Sequence, residues 1–311
     1  MNWAFFFPGQ GSQKVGMGQD LYDNYPIIRD VFIQANELLD FDLTQIVFQG
    51  PSEELLKTDR TQPAVMTLSV AIAKLLMSYN IKPLCCAGHS LGEYAALVIA
   101  EVLSFTDALF LVKNRGRLMQ EAAQKVPGAM AAVIGLPAEE IQRLCVEVTQ
   151  LGNYCDIANL NSPEQTVIAG EIEAIEKLIE LTKKSGAKRV VRLEVSGAFH
   201  SRLMDSAAEE FAQILAETTF RPPQVPVYFN VHGNIETGPA KIRECLKKQI
   251  NHPVCWTKEV ENIIQQQKPD KGLEIGPGTV LRGLIKKINN ELEVISIFNK
   301  NSFENFINSL N

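Results

Sequence analysis

A serine hydroxyl is a weak nucleophile at neutral pH, and the serine whose neighbours suit it to attack is Ser90, in Gly88-His89-Ser90-Leu91-Gly92. Gly-x-Ser-x-Gly is the spacing of a nucleophile elbow, a strained turn that needs glycines for room, a strand before it and a helix after it. The apolar run from Pro83 to Ala87 supplies the strand, and the good helix formers from Glu93 to Ala100 supply the helix. A helix starting just past Ser90 turns free backbone N–H groups and its positive end toward the serine oxygen, which favours an anion there. The Leu91 N–H is the first candidate oxyanion donor. The second is expected from the loop Gly9-Gln10-Gly11, where glycines permit close backbone approach. Each such donor is worth about 10²–10³ in rate.

A general base must accompany the serine, and there are four histidines. His89 is adjacent to Ser90, and neighbours in a sharp turn point apart, so it reads as a packing or hydrogen-bonding residue. His200 is the candidate base. It lies in Val195-Ser-Gly-Ala-Phe-His-Ser-Arg-Leu-Met204, directly after an expected strand. His232 and His252 stand among Gly, Asn and Pro, where loop or surface roles are expected.

These groups need a frame. Residues 2–7 read as a buried strand ending in Pro8-Gly9-Gln10-Gly11-Ser12. Val65, Leu68, Ile72, Leu75, Leu76 and Tyr79 recur at three- and four-residue spacing, which predicts a core-facing helix with Pro63 at its first position. A second helix, from Thr106 to about Gln124, is expected to turn Leu109, Phe110, Val112 and Leu118 inward, with Arg115 projecting beside the elbow. Between 126 and 195 the pattern gives a strand (129–134), a helix (138–149), two strands (155–160 and 165–169), a helix (172–184) and a strand (189–195). That βαββαβ order is ferredoxin-like. The expected fold class is α/β, with residues 126–196 a small domain inserted into a larger, discontinuous catalytic body of 1–125 and 197–311. The rest of that body reads as a strand at 227–231, helices near 241–249 and 259–266, a strand at 273–275, and Gly276-Pro277-Gly278 opening a last amphipathic helix over 280–288.

Composition sets the outer limits. Hydrophobic residues are 46% and charged residues 21% of 311, a globular balance. The net charge of −6 argues against nucleic acid as a partner, because such binding rests on clustered Lys and Arg. Six scattered cysteines with no Cys-x-x-Cys pair point to neither a metal centre nor a disulfide framework, and fit a cytoplasmic protein. No signal peptide and no apolar run near the ~20 residues of a membrane span is seen. Lys183-Lys184, Lys188-Arg189-Arg192 and Lys286-Lys287 read as solvated faces, or as docking points for an acidic partner.

Five motifs together resemble the malonyl-CoA:acyl carrier protein transacylases, acyltransferases of type II fatty acid synthesis. They are Phe7-Pro-Gly-Gln-Gly-Ser-Gln13, Gly88-His-Ser-Leu-Gly-Glu93, Asn114-Arg-Gly-Arg-Leu-Met119, Ala198-Phe-His-Ser201 and Glu274-Ile-Gly-Pro-Gly278, which run through nearly the whole chain in the family's order. The resemblance implies an α/β-hydrolase-like large domain with a ferredoxin-like insertion. It implies Ser90 as nucleophile, His200 as base, and the N–H groups of Gln10 and Leu91 as the oxyanion hole. Arg115 matches the arginine that holds the substrate carboxylate, and Gln249 the residue whose carbonyl orients the histidine in place of a triad acid. Asn159, Asn161 and Arg189 match stretches that face the coenzyme. Leu91 and Phe199 fit the pattern for malonyl over methylmalonyl, and Met119 a wall of the acyl pocket. The implied partners are malonyl-CoA, a coenzyme A thioester that is substrate and not resident cofactor, and holo acyl carrier protein. Neither a metal nor a membrane is implied. A discrete acyltransferase of a polyketide synthase is the near alternative, a serine thioesterase or esterase the further one. A chain without linkers leans toward fatty acid synthesis.

Overall fold

The computed structural model describes residues 1–310. Strand β1 (Trp3–Phe7) is buried along its whole length, because both faces are covered. Phe5 and Phe7 enter the larger core, while Ala4 and Phe6 enter a smaller one behind the sheet. That two-sided burial is why the segment is uniformly apolar, as in parallel sheets generally.

A parallel partner cannot be reached by a tight turn. The chain therefore crosses through α1 (Gln19–Asn24), α2 (Pro26–Leu38), α3 (Leu43–Gln49), α4 (Ser52–Leu56) and α5 (Thr58–Ser78) before β2 (Pro83–Gly88) runs beside β1. The periodicity from Pro63 onward finds α5, but the helix begins five residues before the proline. Its first turn is held from outside: the Gln120 side chain accepts the Thr58 N–H at 3.1 Å, and Thr61 Oγ1 donates to the Leu55 carbonyl. Pro63 thus sits in the second turn and deprives only the Asp59 carbonyl of its helical donor. Tyr79, expected on the core face, closes the helix at 48% exposure.

After the elbow come α6 (Gly92–Ile99) and α7 (Phe105–Lys125), the latter capped by Ser104 Oγ, which accepts the Asp107 N–H. Leu109, Val112 and Leu118 point inward as expected, but Phe110 is 55% exposed. The buried stripe runs through 108/109, 111/112, 115/116 and 118/119, and Phe110 lies on the opposite face, in line with Asn114 and Arg117.

A second sheet follows, built from β3 (Gly128–Ile134), α8 (Ala138–Gln150), β4 (Cys155–Ser162), β5 (Gln165–Glu171), α9 (Ile172–Lys184) and β6 (Arg189–Arg192). Its strands are antiparallel in the order β4-β5-β3-β6. Ala129, Ala131 and Val133 pack on α8 and α9, whereas Met130 and Ala132 face the larger core. Strand β6 stops at Arg192 rather than Val195; Leu193 still donates its N–H to the Met130 carbonyl of β3 at 2.9 Å, and Leu193 and Val195 line a cavity.

Helix α10 (Asp205–Glu217) has no counterpart in the sequence reading. The expected strand at 227–231 shrinks to β7 (Tyr228–Phe229), paired with β8 (Asn234–Ile235), although Val227 also bridges Cys86 of β2. Helices α11 (Pro239–Gln249) and α12 (Trp256–Gln267) lead to β9 (Lys271–Ile275), which pairs with the free side of β1. Helix α13 (Val280–Ile288) is not the last element: β10 (Val294–Ile297) and α14 (Lys300–Asn308) follow, completing a parallel sheet of order β10-β9-β1-β2. A four-residue strand is too short to show a period, and the capping box of Asn299 and Ser302 is its only neighbouring signal.

Two glycines separate structural need from permissiveness. A Cβ on Gly92 would lie 2.0 Å from the Phe7 carbonyl oxygen, whereas one on Gly283 of α13 meets nothing within 4 Å. Gly92→Ala is expected to cost roughly 3 kcal/mol or more. Gly283→Ala is expected to stabilise by about 0.5–1 kcal/mol. Urea denaturation checks both, and a parental midpoint for Gly92→Ala would contradict this packing.

Candidate active site

Strands β1 and β2 end side by side, with Phe7 opposite Gly88. The two loops that leave them therefore emerge at one edge of the sheet. At the tip of the second loop Ser90 adopts φ 51°, a conformation costly for any residue but glycine. Gly88 and Gly92 make the turn feasible, since a Cβ on Gly88 would sit 2.0 Å from the Gly92 carbonyl carbon.

Ser90 Oγ lies 2.8 Å from His200 Nε2. The other ring nitrogen, Nδ1, lies 2.7 Å from the Gln249 main-chain carbonyl, which can only accept. Nδ1 must then carry the hydrogen and Nε2 the lone pair, the tautomer that can take a proton from serine. Among the described residues no carboxylate plays the part of a triad acid. His200 itself has φ 58° and donates its backbone N–H to the Ile250 carbonyl at 3.1 Å, which fixes the loop that carries it.

Arg115, on α7, is 1% exposed. Its Nη1 donates to Gln62 Oε1 (2.8 Å), and its Nη2 to Gln249 Oε1 (2.9 Å) and Ser90 Oγ (3.1 Å). Nε has no partner, and no carboxylate among the described residues pairs with the guanidinium. A buried cation bonded only to neutral oxygens favours an anion beside it. Burial lowers the pKa of Arg115 from its ordinary value, with Tyr94 and Glu93 acting against the shift. Burial also pushes His200 down to about 3, helped by the Arg115 charge beside it.

The cavity in front of Ser90 measures about 250 Å³. Of the residues singled out from the sequence, Gln10, Met119, Asn159, Asn161 and Phe199 line it together with Ser90, His200 and Arg115. Leu91 and Gln249 stand behind the lining, within the elbow and the His200 support. The N–H groups of Gln10 and Leu91 donate to no main-chain acceptor among the described residues, as an oxyanion hole requires. His89 turns away from Ser90 and places Nε2 2.7 Å from Asn161 Oδ1. Arg189 does not reach the cavity: it is exposed on the edge strand β6, and the chain first enters the lining at Leu193. Of the basic clusters, Arg192 pairs with Glu176 at 3.2 Å and Lys287 with Glu164 at 3.1 Å, both on the surface.

Sequence reading missed Gln62, which holds Arg115 and donates to Met119 Sδ at 3.7 Å. Its one available signal, a buried helical position four residues before Met66, is shared by any core glutamine. The apolar wall of Met130, Ala132, Val167 and Leu193 was also missed, although the two-residue alternation of β3 marks its first two members. His232, Glu236 and Cys245 gather within 4.8 Å outside the cavity lining. There His232 Nδ1 accepts the Asn234 N–H at 3.0 Å, so Nε2 carries the hydrogen and offers no lone pair to a metal. The six cysteines are free.

A family model described as the acyl transferase domain matches residues 4–302. The chain belongs to the acyl transferase family. Among curated acyl transferases it is 43% identical to the malonyl CoA-acyl carrier protein transacylase of Bacillus subtilis, over 99% of this chain and 96% of the relative. It is 47% identical to the transacylase of Escherichia coli K12 over 92% of each. Among solved structures, an acyl carrier protein S-malonyltransferase from Vibrio cholerae superposes with a TM-score of 0.94 at 44% identity, covering 98% of this chain and all of that one. A malonyl-transacylase bound to its type II polyketide acyl-carrier protein gives 0.95 at 45%, covering 99% and 100%.

The depressed pKa of His200 has a definite sign. The neutral, proton-accepting ring persists as pH falls through 6.5, so acylation kcat/KM should stay flat to well below that pH. The unfolded chain takes up the His200 proton below 6.5 while the native site refuses it, so native stability should decline in the same window. A pH profile inflecting at 6.5 or above would contradict this environment.

Proposed function

We propose that this chain transfers a malonyl group from malonyl-CoA to the phosphopantetheine thiol of holo acyl carrier protein. The observation that carries the reading is the buried, carboxylate-free Arg115 aimed at Ser90 Oγ beside a serine–histidine pair. The curated relatives and solved neighbours support it through the reaction their names describe.

In the first half-reaction the malonyl carboxylate takes the Arg115 fork, replacing the weak contact to Ser90 Oγ. His200 Nε2 accepts the Ser90 proton as Oγ attacks the thioester carbonyl. The oxyanion is held by the N–H groups of Gln10 and Leu91, and the imidazolium gives its proton to the departing coenzyme A sulfur. A malonyl ester on Ser90 remains. In the second half the carrier thiol gives its proton to His200 and attacks the ester, and Ser90 recovers that proton on leaving. The Gln249 carbonyl steadies the imidazolium in both halves. Phe199 and Met119 bound the acyl group, Asn159 and Asn161 face the coenzyme, and Arg189, outside the cavity, is assigned to the coenzyme through the resemblance alone. No resident metal or redox cofactor enters these steps.

Residues 126–196 are read as a small domain set into the large one, contributing the Met130–Ala132 wall. A cytoplasmic location accords with the free cysteines. No helix among the described residues is long and apolar enough to cross a membrane. The polyketide alternative keeps one specific support, the 45% identity to a type II polyketide malonyl-transacylase; it shares every catalytic group and differs only in the carrier. The esterase reading is weakened by the carbonyl in place of a triad acid and by Arg115.

Labelled malonyl-CoA, with and without holo carrier protein, tests the scheme by following label on enzyme, carrier and water. Ser90→Ala should abolish the covalent label, and its persistence would remove Ser90 as nucleophile. His200→Ala should slow acylation about 10²–10⁴-fold. Arg115→Ala should reduce the preference for malonyl over acetyl about 10²-fold, from the loss of a charge-assisted pair. An unchanged ratio would take the carboxylate away from Arg115.

A further inference from the structure

We propose that Asn230 is a positioning residue for acyl transfer, its carboxamide clamping the nucleophile elbow from beneath while Glu259 and Gln249 hold that carboxamide in one orientation and Glu93 anchors its backbone. The inference rests on the acyl-transfer reading for its kinetic test but not for its geometry. Asn230 is 0% exposed and follows β7 directly. Its Oδ1 accepts the Ser90 N–H at 2.7 Å, and its Nδ2 donates to the Gly88 carbonyl at 2.7 Å. One side chain thus spans the turn on both sides of His89. Gln249 Nε2 closes the remaining edge by donating to the Ser90 carbonyl at 2.9 Å and to Asn230 Oδ1 at 3.3 Å.

The clamp answers two needs of the elbow. Ser90 at φ 51° is strained, and such a residue persists only where its surroundings over-determine it. The Ser90 amide is also drawn into Asn230, so of the two amides next to the nucleophile only that of Leu91 is left for an oxyanion. The carboxamide cannot serve if reversed. A flipped group would set Nδ2 against the Ser90 and Gln249 donors and Oδ1 against the Gly88 carbonyl, losing these three bonds at once.

Two buried acids hold Asn230, Glu259 by its carboxamide and Glu93 by its backbone. Asn230 Nδ2 donates to Glu259 Oε2 at 2.9 Å, and the Asn230 backbone N–H donates to Glu93 Oε2 at 2.8 Å. Both acids are 0% exposed, and each keeps its Oε1 without a partner among the described residues. Burial raises Glu93 to about 8 and lifts Glu259 well above the carboxylate range.

Three measurements decide the matter. In the unmodified protein the Ser90 amide should be protected from hydrogen exchange at least as strongly as the amides of α6; fast exchange would overturn the clamp whatever the enzyme does. Asn230→Ala should lower kcat for malonyl transfer about 10²-fold, the scale of a small misplacement of reacting groups, with KM for malonyl-CoA changed less than about threefold. Parental kcat, or a loss confined to KM, would overturn it. Glu259→Gln retains an acceptor for Nδ2 and should stay within about fivefold of the parent, while Glu259→Leu should fall with Asn230→Ala; equal values for the two would overturn the orienting role. If Asn230→Ala does not fold, exchange and the Glu259 pair decide. A parent enzyme that transfers no malonyl group would sink the functional reading and leave the Ser90 exchange result to judge the clamp.

Discussion

The parallel pairing of β1 with β2 places the whole site. Because Phe7 and Gly88 lie opposite one another, the Gly9-Gln10-Gly11 loop and the serine elbow leave the sheet at the same edge. The His89 N–H then donates to the Phe7 carbonyl at 3.0 Å, stitching the elbow to the end of β1. The contact is close enough that a Cβ on Gly9 would stand 2.7 Å from the His89 carbonyl oxygen. Glycine is required at these positions by approach distance more than by dihedral freedom, and the same approach sets Gln10 on the lining of the cavity in front of Ser90.

Dryness is the second shared condition. Arg115, Glu93, Glu259 and the His200 ring lie within one desolvated block, and burial disfavours the charged form of each. For His200 the consequence is a neutral base facing Ser90. For Arg115, which keeps its charge at any accessible pH, the consequence is a standing deficit of negative charge in front of the nucleophile. In the proposed reaction a carboxylate-bearing acyl group would relieve that deficit as it binds, and a neutral one would not.

The third condition is covering. The small antiparallel sheet supplies Met130, Ala132 and Val167 to the cavity wall, and its β4 is tied to the 250s loop by paired bonds: Leu160 N–H to the Val254 carbonyl, and Val254 N–H to that of Ala158, each 2.9 Å. That loop follows Gln249, whose carbonyl holds His200. The wall of the cavity and the support of the base are therefore mechanically one piece.

His200 was reached by elimination among four histidines; what the sequence determined by itself was local: the elbow glycines, the helices with a clear 3.6-residue period, and the βαββαβ order. These follow from spacing and residue type, which act over a few neighbouring residues. The motifs around Arg115 and Gln249 were legible through resemblance, but Arg115 at 1% exposure, without an acid, was decided by the packing of α7 on α5. Tertiary contacts also overrode proline's preference for a helix start in α5 and turned Phe110 outward. They made a short C-terminal strand and helix part of the main sheet's surroundings, where no period was long enough to read. Asn230 lies furthest from sequence inference. Its partners are Gly88, Ser90, Glu93, Gln249 and Glu259, and only the folded chain brings donors and acceptors so distant in sequence within hydrogen-bonding distance.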